Sequence, residues 1–167
     1  VADDTLRIKH IANADRPALG RLMTELWGGA TVVVHGTVFR PAALQGLLAV
    51  RETRLVGLVT FDTAGDTLEI VTLDALVRGM GIGSELVAAV VGEARRRGLA
   101  RITATTTNAN LDALRFYQRR QFRLLTVRQG AVDEARRLKP QIPATGPYDI
   151  PLHDEIDLER LLFSPNT

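Results

Sequence analysis

The sequence predicts an α/β domain with a mixed central sheet flanked by helices, and three stretches predict it. Residues 47–73 are short apolar runs joined by hairpin-sized connections, the pattern of an antiparallel meander. The segment LEIVTLDALVRGMGIGS, residues 68–84, joins an alternating strand to a glycine-rich turn and the start of a helix. A β-branched run, Ile102–Thr106, comes after that helix, and strand, crossover helix and strand in succession require a parallel pair.

From the N-terminus, Leu6–His10 alternates as a first strand. Asn13 or Asp15 caps a helix running to Trp27, with Pro17 in its first turn and Leu19, Leu22, Met23 and Leu26 as its apolar stripe. Gly28 and Gly29 end it, and Trp27 beside them reads either as a packed edge residue or as a substrate platform. Thr31–His35 is a strand or extended arm, Gly36–Pro41 a loop and Pro41–Leu44 one helical turn. Leu47–Val50 and Leu55–Phe61 pair around Glu52-Thr53-Arg54, and Asp62–Asp66 turns into the strand that begins at Leu68. Glu69, Val71 and Leu73 share one parity of that strand, and Leu68, Ile70 and Thr72 the other. Leu86, Val87, Val90, Val91 and Ala94 give the next helix one buried face, closed by Arg95-Arg96-Arg97 and Gly98. Asn108 and Asn110 precede a helix over Leu111–Arg120, and Phe122–Val127 alternates as a strand. The prolines of 140–147 make a stiff surface loop, expected to lie over a site and cover it, and 149–160 places Leu152, Ile156 and Leu158 on one parity of a closing strand.

A length of 167 residues fits a single domain, 1–167, with 129–167 as a C-terminal extension. With 46% hydrophobic and 24% charged residues the chain reads as globular. The absence of cysteine excludes disulfides, thiolate metal sites and a Cys nucleophile, and the scattered His10, His35 and His153 form no metal-binding pair. No apolar run reaches the ~18 residues of a membrane span. The start VADDTLRI lacks a signal peptide's apolar stretch, so the default location is the cytoplasm. A net charge of +2 is too small to imply nucleic acid. Nine arginines and one acid, Asp112, lie between residues 95 and 128 with little aromatic interleaving. They either solubilise helix faces or, near the glycine turn, serve a phosphorylated ligand. Exposed sheet edges allow a homodimer without selecting a surface.

The run Arg78-Gly79-Met80-Gly81-Ile82-Gly83-Ser84 leaves little side-chain bulk over several amides at a helix start, where unpaired N–H groups and the helix dipole attract anions. Arg78 adds a fixed charge. No Gly-Lys-Ser/Thr follows, so this is not a nucleoside triphosphate loop, and the even glycine spacing is not the dinucleotide G-x-G-x-x-G.

What remains, R-x-x-G-x-G opening a helix, then a strand and an Asn-x6-Tyr helix in NLDALRFYQRRQF, resembles the GCN5-related N-acetyltransferase (GNAT) family, strongest over residues 69–122. The resemblance implies a GNAT-like sheet, splayed at its centre, and acetyl-CoA as acyl-donating cosubstrate without a metal. It places the pyrophosphate on Arg78, Gly79, Met80, Gly81, Ile82, Gly83 and Ser84. It implies a bulge in the preceding strand, whose last residue, Leu73, offers its backbone N–H to the acyl oxygen. Asn110 and Tyr117 correspond to the family's asparagine and tyrosine, and Gln121 stands where such helices commonly have glycine.

Tyr117 is thereby placed to protonate the departing thiolate, against a packing role; Asn110 to reach pantetheine or a bridging water, against a plain N-cap. Glu69, on the parity of Leu73, is the leading base for the incoming ammonium, against a solvent-side or salt-bridged carboxylate; Asp74, Glu25, His35 and Glu155 are weaker candidates. Trp27, His35 and Asp74 are the expected acceptor-binding groups, although His35 also reads as an ordinary edge or core histidine. The expected reaction is direct acetyl transfer to a small-molecule amine; the alternatives are a protein Lys or N-terminal acetyltransferase and a non-catalytic CoA-binding module.

Overall fold

The computed structural model describes residues 5–163; residues 1–4 and 164–167, the ends of the expected domain, lie outside the described residues. The strands are β1 (Leu6–His10), β2 (Val32–Val34), β3 (Thr37–Phe39), β4 (Gln45–Arg51), β5 (Arg54–Ala64), β6 (Thr67–Ala75), β7 (Arg101–Thr107), β8 (Arg123–Arg128) and β9 (Glu155–Leu161). The helices are α1 (Arg16–Trp27), α2 (Ile82–Arg96), α3 (Leu111–Gln118) and α4 (Ala131–Leu138). Seven strands make one mixed sheet in the order β1-β4-β5-β6-β7-β9-β8, in which β6 and β7 are the parallel pair.

The sheet's two faces carry separate cores because neighbouring residues of a strand point to opposite sides. Leu47, Val59, Phe61, Ile70, Ile102 and Ala104 pack against Leu86, Val87 and Val90 of α2. Leu48 and Leu58, on the other face, pack against Leu19 and Met23 of α1. Gly57 lets α2 approach, since a Cβ there would lie 2.5 Å from Ile82 Cγ2 and 3.0 Å from Asp74 O.

Four local expectations change. Thr37–Phe39 is a strand rather than loop: Val34 pairs with Thr37 across His35 (φ 51) and Gly36 (φ 71), the two left-handed residues of a tight hairpin turn. β5 extends to Ala64, so the turn shrinks to Gly65-Asp66. α3 stops at Gln118, not Arg120. Within 149–160 only Glu155–Leu161 is strand; Pro151 makes one isolated bridge with Thr145, and β9 slots between β7 and β8, antiparallel to both.

The segment before the 140–147 loop forms α4, with Gly130 (φ 74) at its N-cap, Asp133 and Glu134 in its first turn and Arg136 and Arg137 in its last. Arg136 donates to the carbonyls of Ile142, Pro143 and Leu152 and so ties down the loop. The chain end of α3 keeps the turn that glycine would favour: Gln121 sits at φ 67 while Phe122 N–H donates to Tyr117 O at 3.2 Å. A left-handed L-residue costs ~1–2 kcal/mol, partly offset by the backbone entropy that glycine would lose. Gln121→Gly is therefore expected to raise unfolding free energy by about 0.5–1 kcal/mol, read from urea denaturation at unchanged slope.

Candidate active site

The site begins with a slip in register. Thr60 opposes Thr72 and Phe61 opposes Ile70, so Val71 is an extra residue on β6, a β-bulge. Cross-strand partners share a face, which fixes the consequence. Leu73 opposes Val59 on the α2 face, whereas Glu69 opposes Asp62 and Asp74 opposes Leu58 on the other. The expectation that Glu69 and Leu73 share a face is thus corrected: the inserted residue reverses parity between them.

Beyond the bulge β6 leaves β7. Their ladder runs only from Thr67↔Arg101 to Ile70↔Ala104, and a cleft of about 550 Å³ opens between the diverging strands. Leu73, the glycine turn and Tyr117 line it, and Trp27 reaches it from α1. The 140–147 loop is not among its lining residues; it packs by Gly146 against Ala109 and Leu152, which corrects the expectation of a cover.

At one end of the cleft Gly79 (φ 75) and Gly81 (φ 69) adopt left-handed torsions, and a Cβ on either would meet nothing within 4 Å. Glycine is required there for torsion, and the space beside the turn is open. Gly81 caps α2 without a side-chain hydrogen bond, leaving the first-turn amides of Ile82, Gly83 and Ser84 without intrahelical acceptors. Gly83 serves another purpose, since a Cβ would lie 3.0 Å from the Phe116 ring. Arg78 lines the turn, and Met80 Sδ accepts from Arg51 at 3.5 Å.

Arg120, which the sequence did not single out, also lines the cleft. Its guanidinium lies 3.6 Å over the Phe116 ring, donates to Phe116 O at 2.8 Å, and donates from Nε to Ser84 Oγ at 3.1 Å. Open backbone, unpaired amides, a helix dipole and two guanidinium groups fit a phosphate pair.

Tyr117 is 7% exposed, edge-on to Phe116 and Phe122 with ring centroids at 5.3 and 5.1 Å. Burial first, then the nearby Asp74 charge, pushes its phenol far above the ordinary range, so it keeps its proton. Asn110 does cap α3, its Oδ1 accepting from Ala113 N–H at 3.1 Å, while still lining the cleft. Asp74 Oδ2 accepts from Trp27 Nε1 at 3.1 Å; burial raises the Asp74 pKa and this hydrogen bond opposes the rise.

A second group gathers on the opposite sheet face. His35, at the hairpin apex, places Nδ1 3.4 Å from Glu155 and Nε2 3.4 Å from Asp157, 3.7 Å from Glu69 and 2.9 Å from Thr105 Oγ1. Its ring stands among three carboxylates at a hairpin apex, neither a core nor a plain edge histidine. Thr105 also lines the cleft, so it links the two groups. Burial raises the pKa of both Glu69 and Glu155 from the ordinary glutamate value. Among the described residues no cluster of three or more His, Cys, Asp or Glu could hold a metal ion.

Residues 13–122 match the acetyltransferase (GNAT) family. The chain belongs to that family. Two relatives from Bacillus subtilis strain 168, YdhI and YxbD, are 35% and 34% identical over 137 residues, 81% of this chain and 86% of each relative. A GNAT family acetyltransferase from Elizabethkingia anophelis, solved with acetyl-CoA bound, matches with a TM-score of 0.69 at 17% identity over 95% of this chain and 99% of that one.

Within this GNAT fold, the structure gathers Leu73, Arg78, the glycine turn, Asn110, Tyr117 and Trp27 around one cleft, with Asp74 beside it on the Trp27 indole. It sets Glu69 and His35 behind Thr105 and leaves Glu25 outside both groups. Asp157, which Arg128 Nε holds at 2.8 Å, was overlooked, although the alternation of Ile156 and Leu158 already put Glu155, Asp157 and Glu159 on the opposite parity.

Proposed function

We propose that this acetyltransferase moves acetyl from acetyl-CoA to the primary amine of a small molecule by direct attack. The observation that carries the reading is the bulged, splayed β6 with an anion-binding turn at one end and a buried, protonated Tyr117 beside it. Acetyl-CoA supplies the thioester that makes its acyl carbon electrophilic. The amides of the 79–84 turn with Arg78 and Arg120 hold the pyrophosphate, and Asn110 stands along the pantetheine path. Leu73 N–H donates to the acyl oxygen as negative charge develops there. Tyr117 Oη–H donates to the leaving sulfur, and Glu69 takes the proton of the incoming ammonium. Trp27, Asp74 and His35 line the acceptor's approach, where an aromatic face beside a carboxylate suits a cation.

The pinned β2–β3 hairpin over Val71 favours a small acceptor. The 140–147 loop, standing away from the cleft, favours the second reading, a protein Lys or N-terminal acceptor. Thiol release from acetyl-CoA is to be measured with phenethylamine, spermidine, a lysine-containing peptide and a peptide with a free N-terminus. The small amines are expected to give the higher kcat/KM. Faster turnover of either peptide reverses the assignment, and no thiol release with any acceptor leaves a CoA-binding module.

A further inference from the structure

Lys139, at the C-cap of α4, is 8% exposed, and its ammonium has carbonyl partners: Nζ donates to Trp27 O at 2.6 Å and to Thr31 O at 2.7 Å. Burial pushes its pKa down, and among the described residues no carboxylate offsets the shift. A buried cation without an anion is costly, so its position needs a physical reason.

The reason lies at the end of α1. That helix has no basic residue in its last turn, and the chain swings away at Gly28 (φ 68), so its last carbonyl, Trp27 O, meets Lys139 rather than a cation of the helix's own. Lys139 supplies the charge that the negative end of the helix dipole attracts. The residue it grips is Trp27, which lines the cleft and whose indole N–H donates to Asp74 at 3.1 Å. Asp74 in turn acts on Tyr117 through its charge. One line of contacts thus runs from the C-terminal extension to the cleft.

We propose that Lys139 is a positioning residue for the acceptor: it clamps the end of α1 so that Trp27 presents the Asp74 carboxylate to an incoming ammonium. The inference rests on Trp27 and Asp74 being acceptor-side groups. Lys139 itself is not among the residues lining the cleft, so it shapes the acceptor side through Trp27 without touching acetyl-CoA.

Trp27 is the chain's one tryptophan, so its fluorescence reads the clamp directly. Lys139→Met removes the donors at similar volume, Lys139→Arg keeps them, and Lys139→Gln, with one neutral donor, replaces the Met variant should that fail to fold. In Lys139→Met, acrylamide quenching of Trp27 is expected to rise about twofold and KM for the panel amine turned over fastest about tenfold, kcat changing less, with acetyl-CoA affinity by calorimetry unmoved. Lys139→Arg is expected to restore both. Unchanged Trp27 quenching in Lys139→Met, or a matching loss of acetyl-CoA affinity, overturns the inference. If the unmodified protein acetylates no panel amine, the proposed function fails while the quenching still decides what Lys139 does.

Discussion

Tyr117→Phe is expected to lower kcat by about 10²–10³-fold while leaving the acetyl-CoA dissociation constant within a factor of about two. The substitution removes one oxygen and keeps the ring, whose edge-on contacts with Phe116 and Phe122 belong to the core packed around α2. Stability should therefore move by less than about 1.5 kcal/mol, so lost rate cannot be ascribed to unfolding. The chemistry follows from burial. A phenol pushed well above its ordinary range stays protonated at neutral pH, while a free thiol titrates near ~8.5. Tyr117 is then the weaker acid, and its work is to donate a hydrogen bond that stabilises the negative charge accumulating on sulfur as the C–S bond breaks, the thiolate leaving without taking the phenol's proton. Titration of Tyr117 accordingly imposes no alkaline fall in rate until well above pH 10. Stopped thiol release and calorimetry on the same preparation check both halves; a kcat within threefold of the parent would remove Tyr117 from the chemistry.

Periodicity and turn chemistry made the sheet legible because each strand of the meander buries one parity and each helix one stripe. Arg78 and the alternating glycines were legible for the same reason: left-handed torsions leave a mark in composition. The bulge at Val71 was not, since an inserted residue changes no local propensity, and with it went the parity that relates Glu69 to Leu73. The β2–β3 hairpin escaped because His35-Gly36 is an uncommon pair for a turn needing two left-handed residues. α4 buries Val132 and Ala135 but spans only eight residues, too few turns for its period to stand out in a charge-rich stretch. Arg120 and Asp157 were anonymous in a run of arginines and an acidic tail; only the tertiary fold brings one to Ser84 and the other to His35.

The parity reversal sharpens the expected behaviour of Glu69→Gln. With Glu69 on the hairpin face and Leu73 on the α2 face, an amine entering beside the hairpin meets the carboxylate on its own side of the sheet. Among the described residues Glu69 Oε1 is buried without a hydrogen-bond partner, which suits a base waiting for a proton. Burial raises its pKa; His35 opposes that, and Asp62, Asp157 and Glu155 reinforce it. A base acts deprotonated, so kcat/KM should fall as pH drops through this raised value, above the ~4.3 of a free glutamate. Glu69→Gln is expected to cost about 10²-fold at neutral pH and to erase that acidic limb. Because the variant keeps size and polarity, acetyl-CoA affinity should be unaffected. A pH–rate profile decides the assignment: if Glu69→Gln retains the limb and Asp74→Asn loses it, the proton goes to Asp74, and the acceptor is deprotonated beside Trp27 instead of behind Thr105.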